Sequence, residues 1–124
     1  MTSAQDGAER VLLAVRLIPA GQVASYGAIA AITGTSPRQV GRILRERGGA
    51  VPWWRVTSRD GGLPGPLLAE ARTHWDAEGM RLTPDGGRCR MALCGTDLDA
   101  LDAAFRSEVH GAHRQSEAGP DLPH

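Results

Sequence analysis

Gly34-Thr35-Ser36-Pro37 is the stretch that most restricts how this chain can fold. Glycine suits the exit of one helix. Serine offers a cap to the free N–H groups of the next, and proline takes a first helical position where its missing N–H costs nothing. Before it, Ser25 reads as the N-cap of a short helix with Ile29 and Ile32 inward. After it, the spacing predicts a helix from about Pro37 to Arg47, with Val40, Ile43 and Leu44 as the buried stripe. Arg38, Arg42 and Arg45 fall at i, i+4 and i+7 and share an exposed face. Gly41 between them permits close backbone approach. Two helices joined by a Gly-containing turn, the second with a basic face, form a helix-turn-helix candidate. A plain solvated arginine face fits the same pattern.

The rest of the chain frames this pair. Residues 1 to 5 read as frayed. From Asp6 the positions Ala8, Val11, Leu12, Val15 and Ile18 follow one helix face, with Ser3 or Asp6 as the cap and Pro19 as the stop. Residues 51 to 57 read as extended. Ser58-Arg59-Asp60-Gly61-Gly62 is a hairpin-type turn, as a wing would need. A fourth helix is expected from Leu67 to Glu78, with Leu67, Leu68, Ala71 and Trp75 inward and Gly79 as the breaker. Residues 80–82 and 88–93 suit two short strands. The expected fold class is mainly α with short strands, a winged-helix-like helix-turn-helix domain over residues 6–93. Residues 94–124 read as a polar acidic tail with a weak helical pattern at Leu98, Leu101 and Phe105, its last ten to fifteen residues disordered.

Charge sharpens that division. Formal net charge is zero, so whole-molecule steering toward nucleic acid is not expected. Yet residues 38 to 59 hold six arginines against the single acid Glu46, whereas residues 95 to 124 hold six acids against two arginines. All 14 basic residues are arginine, which favours bidentate and stacking contacts to phosphates and bases. Neither a signal peptide nor a membrane-length apolar run is evident, so a cytoplasmic, nucleoid-associated protein with no membrane partner is expected.

Chemistry is sparse. Ser25, Ser36 and Ser58 are explained as caps or turn residues. His74 lies on the fourth helix and the other three histidines in the tail. The two cysteines, Cys89 and Cys94, match no metal or disulfide pattern and read as reduced thiols. No catalytic residues, metal site or cofactor are expected. The anomaly is Val51-Pro52-Trp53-Trp54-Arg55-Val56, with two of the three tryptophans side by side. In a regular strand they would face opposite ways, one inward and one outward. A tryptophan beside a basic helix is suited to stacking on a base, worth about 1–3 kcal/mol.

Four segments in order carry a resemblance. They are Ile18-Pro19-Ala20-Gly21-Gln22-Val23-Ala24-Ser25-Tyr26-Gly27, Arg38 to Leu44, Val51 to Val56, and Ala77-Glu78-Gly79. Together they resemble the DNA-binding domain of O6-alkylguanine-DNA alkyltransferases over about residues 8 to 93. That family has a Pro-Cys-His-Arg-Val active segment in which the cysteine accepts the alkyl group and a His–Glu pair activates it. Here Trp53 stands at the cysteine position, Trp54 at the histidine position and Glu78 at the glutamate position. Tryptophan for cysteine resembles the alkyltransferase-like proteins, which bind alkylated guanine without repairing it and pass it to nucleotide excision repair.

The resemblance implies a monomer whose partners are double-stranded DNA containing O6-alkylguanine and nucleotide excision repair proteins. It also implies roles. Tyr26 would crowd the phosphate and help rotate the nucleotide. Arg38 would fill the gap left in the base stack. Gly41 would let the helix approach the minor groove, and Arg42 and Arg45 would contact phosphates. Pro52, Trp53, Arg55 and Tyr26 would form the alkylguanine pocket. The chain departs from the pattern at Trp54, where relatives keep His or Gln. It departs again at Leu63-Pro64-Gly65-Pro66, which lacks the arginine such relatives can carry there; Arg59 is the nearest cation. It has no asparagine and so no hinge asparagine. Two other classes stand beside this reading. One is a winged-helix regulator binding undamaged DNA as a dimer. The other is a suicide alkyltransferase using Cys89 or Cys94.

Overall fold

A computed structural model describes residues 3–118. The chain is mainly helical with two short strands, as expected. Helix α1 (Ser3–Arg16) starts within the stretch that reads as frayed. From Ala8 onward its apolar stripe faces inward, with Val11 and Val15 at 0% exposure. Then come β1 (Ala24–Ser25), α2 (Tyr26–Thr33) and α3 (Pro37–Arg47). The two short strands pair in parallel, β1 with β2 (Val56–Thr57), in the register Ala24–Val56 and Ser25–Thr57. Helix α4 (Gly65–Ala77), the single turn α5 (Met91–Cys94) and the long α6 (Leu98–Ala118) complete the order.

Local chemistry sets the helix pair. The Ser25 hydroxyl accepts from the Ala28 N–H at 3.0 Å. Gly34 closes α2 in the left-handed region at φ 74°, a conformation that only glycine adopts cheaply. Ser36 and Gln39 then satisfy each other. The Gln39 N–H donates to the Ser36 hydroxyl at 3.2 Å, and the Ser36 N–H donates to the Gln39 side chain at 2.9 Å. This reciprocal capping holds the start of α3, and losing such a serine costs about 1 kcal/mol. Arg10 bridges α1 to the end of α2 through the Thr33 carbonyl at 2.9 Å.

Two apolar clusters form the core. The first joins α1, α2 and α3 with Val51, Val56, Leu101 and Phe105. The second gathers Val23, Ala71, Trp75, Met80, Cys89 and Cys94, with Trp53, Trp54 and Leu68 packed against it. Packing therefore continues past residue 93. Leu101 and Phe105, one turn apart on α6, are 3% and 5% exposed. Two side chains on an otherwise polar helix are a narrow stripe, which is why the segment reads as a tail. Helix α6 continues to Ala118; the rest of the expected disordered end, 119–124, lies outside the described residues.

Three local expectations are corrected. The turn at 58–62 forms, closed by the Ser58 N–H to the Gly62 carbonyl at 2.9 Å, but no hairpin flanks it. The strand before it pairs with β1, and the Gly61 carbonyl accepts from the Cys89 N–H at 2.9 Å instead. The stretches 80–82 and 88–93 meet only at a Leu82–Cys89 bridge. Met91 to Cys94 coils into α5, because Met, Ala and Leu prefer helix and the ladder has ended. Leu67 is not inward; it is 39% exposed.

Candidate nucleic-acid interface

The segment 53–55 is not extended. Trp53, Trp54 and Arg55 form one 3-10 turn. Successive side chains in such a turn splay by roughly 120° rather than alternating between two faces. The three residues therefore serve three directions. The Pro52 φ of −76° sets up the entry.

Trp53 points to an open cavity of about 790 Å³. Helix α3 contributes Arg38, Gly41, Leu44 and Arg45 to its lining, and α2 contributes Tyr26. Pro64, Pro66, Leu67 and Glu70 line it from the start of α4. Five of the residues singled out from sequence, Tyr26, Arg38, Gly41, Arg45 and Trp53, thus meet around one space. Arg42 sits on the exposed surface of the same helix without lining the cavity. Arg59 is exposed and is not among the lining residues either. The loop where a cation was sought offers prolines and a leucine.

The electrostatics of this face are unspent. Among the described residues, the side chains of Arg38, Arg42 and Glu70 make no hydrogen bond or ion pair. Burial pushes the Tyr26 hydroxyl above its ordinary value, against the opposing pull of the nearby Arg45 charge. A Cβ added at Gly41 would meet nothing within 4 Å. No neighbour inside the protein therefore requires glycine there, although glycine costs a helix interior about 1 kcal/mol relative to alanine.

Pro52 and Arg55, expected in the pocket, are not there. Both line a second, shallower space with Arg16 and His74. The splay of the 3-10 turn sends Arg55 away from α3 and onto Glu78. Its Nη2 donates to Glu78 Oε2 at 2.6 Å, and its Nη1 donates to the Ile18 carbonyl at 2.8 Å. The pair is well covered, with side chains 16% and 12% exposed. Glu78 also accepts from Trp54 Nε1 at 2.8 Å and from the Gly21 N–H at 3.0 Å. Burial pushes the Glu78 carboxyl up. The hydrogen bonds from Arg55, Gly21 and Trp54 outweigh it and hold the group below its ordinary value.

Trp54 is half-buried and held by several contacts, though it also borders the second space. Its ring stacks on His74, with centroids 3.6 Å apart and planes 6° from parallel. Its carbonyl accepts from Trp75 Nε1 at 2.8 Å. Trp53 stands edge-on to both Trp54 and His74, with centroids 5.8 and 6.1 Å away. Sequence reasoning missed His74 as the stacking partner and Glu70 as a lining residue. The one available signal was that an indole N–H beside an arginine needs an acceptor, and Glu78 was already in view.

Both cysteines are buried and unbridged. Burial and the neighbouring Cys94 push the Cys89 thiol up to about 12. Among the described residues no group of His, Cys, Asp or Glu is arranged to hold a metal, and no helix is long and apolar enough to cross a membrane.

A capped helix pair, with an open cavity running along its second helix, defines a helix-turn-helix domain with a recessed face. The family model of the 6-O-methylguanine DNA methyltransferase DNA-binding domain matches residues 6–80, and the chain belongs to that family. Within it the chain is alkyltransferase-like. The DNA base-flipping proteins of Escherichia coli (strain K12) and Shigella flexneri are each 38% identical to it over 84 residues. The match covers 63% of this chain and 65% of theirs, just under two thirds of those relatives' length. Among solved structures, S. pombe Atl1 in complex with damaged DNA containing O6-carboxymethylguanine superposes with a TM-score of 0.65 at 25% identity. A second S. pombe ATL–DNA complex gives 0.64, also at 25% identity. Each covers 75% of this chain and 96% of the other.

Proposed function

We propose that this protein binds O6-alkylguanine in double-stranded DNA by flipping the nucleotide into the Trp53 cavity, without alkyl transfer. It then flags the lesion for nucleotide excision repair, acting as a monomer in the nucleoid. The observation that carries this is the convergence of Tyr26, Arg38, Gly41, Arg45 and Trp53 on one cavity beside a helix with unspent arginines. The names of the relatives, base-flipping proteins and damaged-DNA complexes, point the same way.

The physics is coherent. Pulling a base from the stack costs a few kcal/mol, least where pairing is already damaged. Stacking on Trp53 returns about 1–3 kcal/mol. Arg38, at the N-terminal end of α3, replaces the missing base with its guanidinium plane. Tyr26 crowds the phosphate, and Gly41 lets the helix axis come close to the groove. Arg42 and Arg45 hold phosphates and so position the domain without reading sequence.

Transfer has no acceptor in this reading. Trp53 takes the place of the family's cysteine and Trp54 that of its histidine, and an indole ring is not an alkyl-accepting nucleophile of that kind. Cys89 is 1% exposed with its thiol pushed up to about 12, so its thiolate is scarce at neutral pH.

The test is an equilibrium titration of two short duplexes differing by one O6-methylguanine, at a stated salt concentration, followed by intact mass of protein and DNA. Tighter binding to the lesion duplex with both masses unchanged is expected. Equal weak affinity would leave a basic helix-turn-helix, and an added alkyl mass on the protein would make it an enzyme.

A further inference from the structure

We infer that Glu70 selects the charge of the O6 substituent. This rests on the lesion-binding reading above and assigns it a substrate class. The cavity is unevenly furnished. Its cations, Arg38 and Arg45, are on α3, the element that meets the DNA, where Arg38 enters the base stack and a phosphate answers the charge of Arg45. The side built by residues 64–70 offers Pro64, Pro66 and Leu67, and a single ionisable group, Glu70.

Glu70 is exposed and its carboxylate makes no hydrogen bond or ion pair among the described residues. Asp60, Glu78 and Asp102, by contrast, each hold an arginine partner. An unpaired carboxylate shares the cavity with Trp53, so in the lesion-binding reading a substituent on the flipped base comes within its field. Neutral and apolar groups meet prolines and leucine at no electrostatic cost. A cationic group, such as an aminoalkyl chain, gains an ion pair with Glu70. An anionic group, such as carboxymethyl, meets a like charge. The site is thus complementary to neutral and cationic adducts and set against anionic ones. The S. pombe Atl1 complex holds O6-carboxymethylguanine, an adduct of the anionic class that this site is set against.

The test uses the full chain and the Glu70→Gln variant, with five duplexes identical except at one guanine. That guanine is unmodified or carries O6-methyl, O6-(2-hydroxyethyl), O6-(2-aminoethyl) or O6-carboxymethyl. For the wild type, aminoethyl should bind about fivefold tighter than hydroxyethyl, and carboxymethyl about fivefold weaker, the scale of a unit-charge pair in a wet cleft. In Glu70→Gln the three affinities should converge to within about twofold, and added salt should narrow the wild-type spread. Each comparison is a ratio within one variant, so a general change in DNA affinity cancels. A wild-type spread that survives unchanged in Glu70→Gln, or no spread at all, overturns the assignment. If the wild type also fails to prefer O6-methylguanine over guanine, the lesion-binding reading itself has failed. If that preference stands, only the role of Glu70 falls.

Discussion

Trp53 and Trp54 are neighbours in sequence and opposites in structure. Trp54 is stacked, hydrogen-bonded at its ring nitrogen and bonded at its carbonyl. Trp53 has edge contacts on one side and the cavity on the other. The same contrast separates their surroundings. On the Trp54 side, Arg55 and Glu78 satisfy each other and tie the 3-10 turn to Gly21 and Ile18. On the Trp53 side, Arg38, Arg42 and Glu70 have no partner among the described residues. One turn of backbone thus divides a closed network, which contributes stability, from an open one, which the proposed function gives to the ligand. Rigidity on the first side holds the Trp53 ring still, which lowers the ordering cost of binding on the second.

That division predicts effects of different kind on the two sides. The largest is on the closed side. Glu78→Ala strands the Arg55 charge, the Trp54 N–H and the Gly21 N–H together, and should cost about 3 kcal/mol in urea unfolding. The pH sign follows from the depressed carboxyl. Its contribution is present above the ordinary glutamate value of 4.5 and is lost as pH falls through the folded-state value. Glu78→Gln should therefore flatten the acid limb of stability against pH. An unchanged limb would remove Glu78 from the network.

Next in size is Arg38→Ala on the open side. It should lower affinity for the lesion duplex about tenfold, within the range that a lost stacking partner contributes, with unfolding stability unchanged. Arg42→Ala should instead weaken both duplexes alike and make the slope of log affinity against log salt shallower by about 1. If the two variants behave identically, Arg38 is only another phosphate contact. The smallest effect is the most diagnostic in sign. Gly41→Ala should raise stability by about 0.5–1 kcal/mol, because its new methyl meets nothing and alanine favours helix. It should weaken DNA binding at the same time. Gain or loss of both together would contradict the close approach at Gly41.

Much of the helix pair was legible because its signals are local. The run Gly34 to Pro37 and the stripe of Val40 and Ile43 place α3 residue by residue. The cavity members on α2 and α3 followed from that helix and from the resemblance. The resemblance put Pro52 and Arg55 in the pocket with Trp53; they line the second space instead, because the chain makes a 3-10 turn where an extended segment was expected. Nothing local in Trp53-Trp54-Arg55 distinguishes the two. What decides it is long-range, the Glu78 carboxylate 23 residues on from Arg55. Leu101 and Phe105 were read as tail for a similar reason, since their neighbours in α1 and α2 lie far back in the sequence.

The most direct measurement is the ratio of affinities for an O6-methylguanine duplex and its unmodified twin, in wild type and Trp53→Ala, at one salt concentration. The wild-type ratio should favour the lesion. In Trp53→Ala it should collapse toward one through loss of lesion binding alone, with affinity for undamaged DNA nearly unchanged. If Trp53→Ala lowers both affinities equally and keeps the ratio, Trp53 is core like its neighbour, and the division between an open and a closed side is wrong.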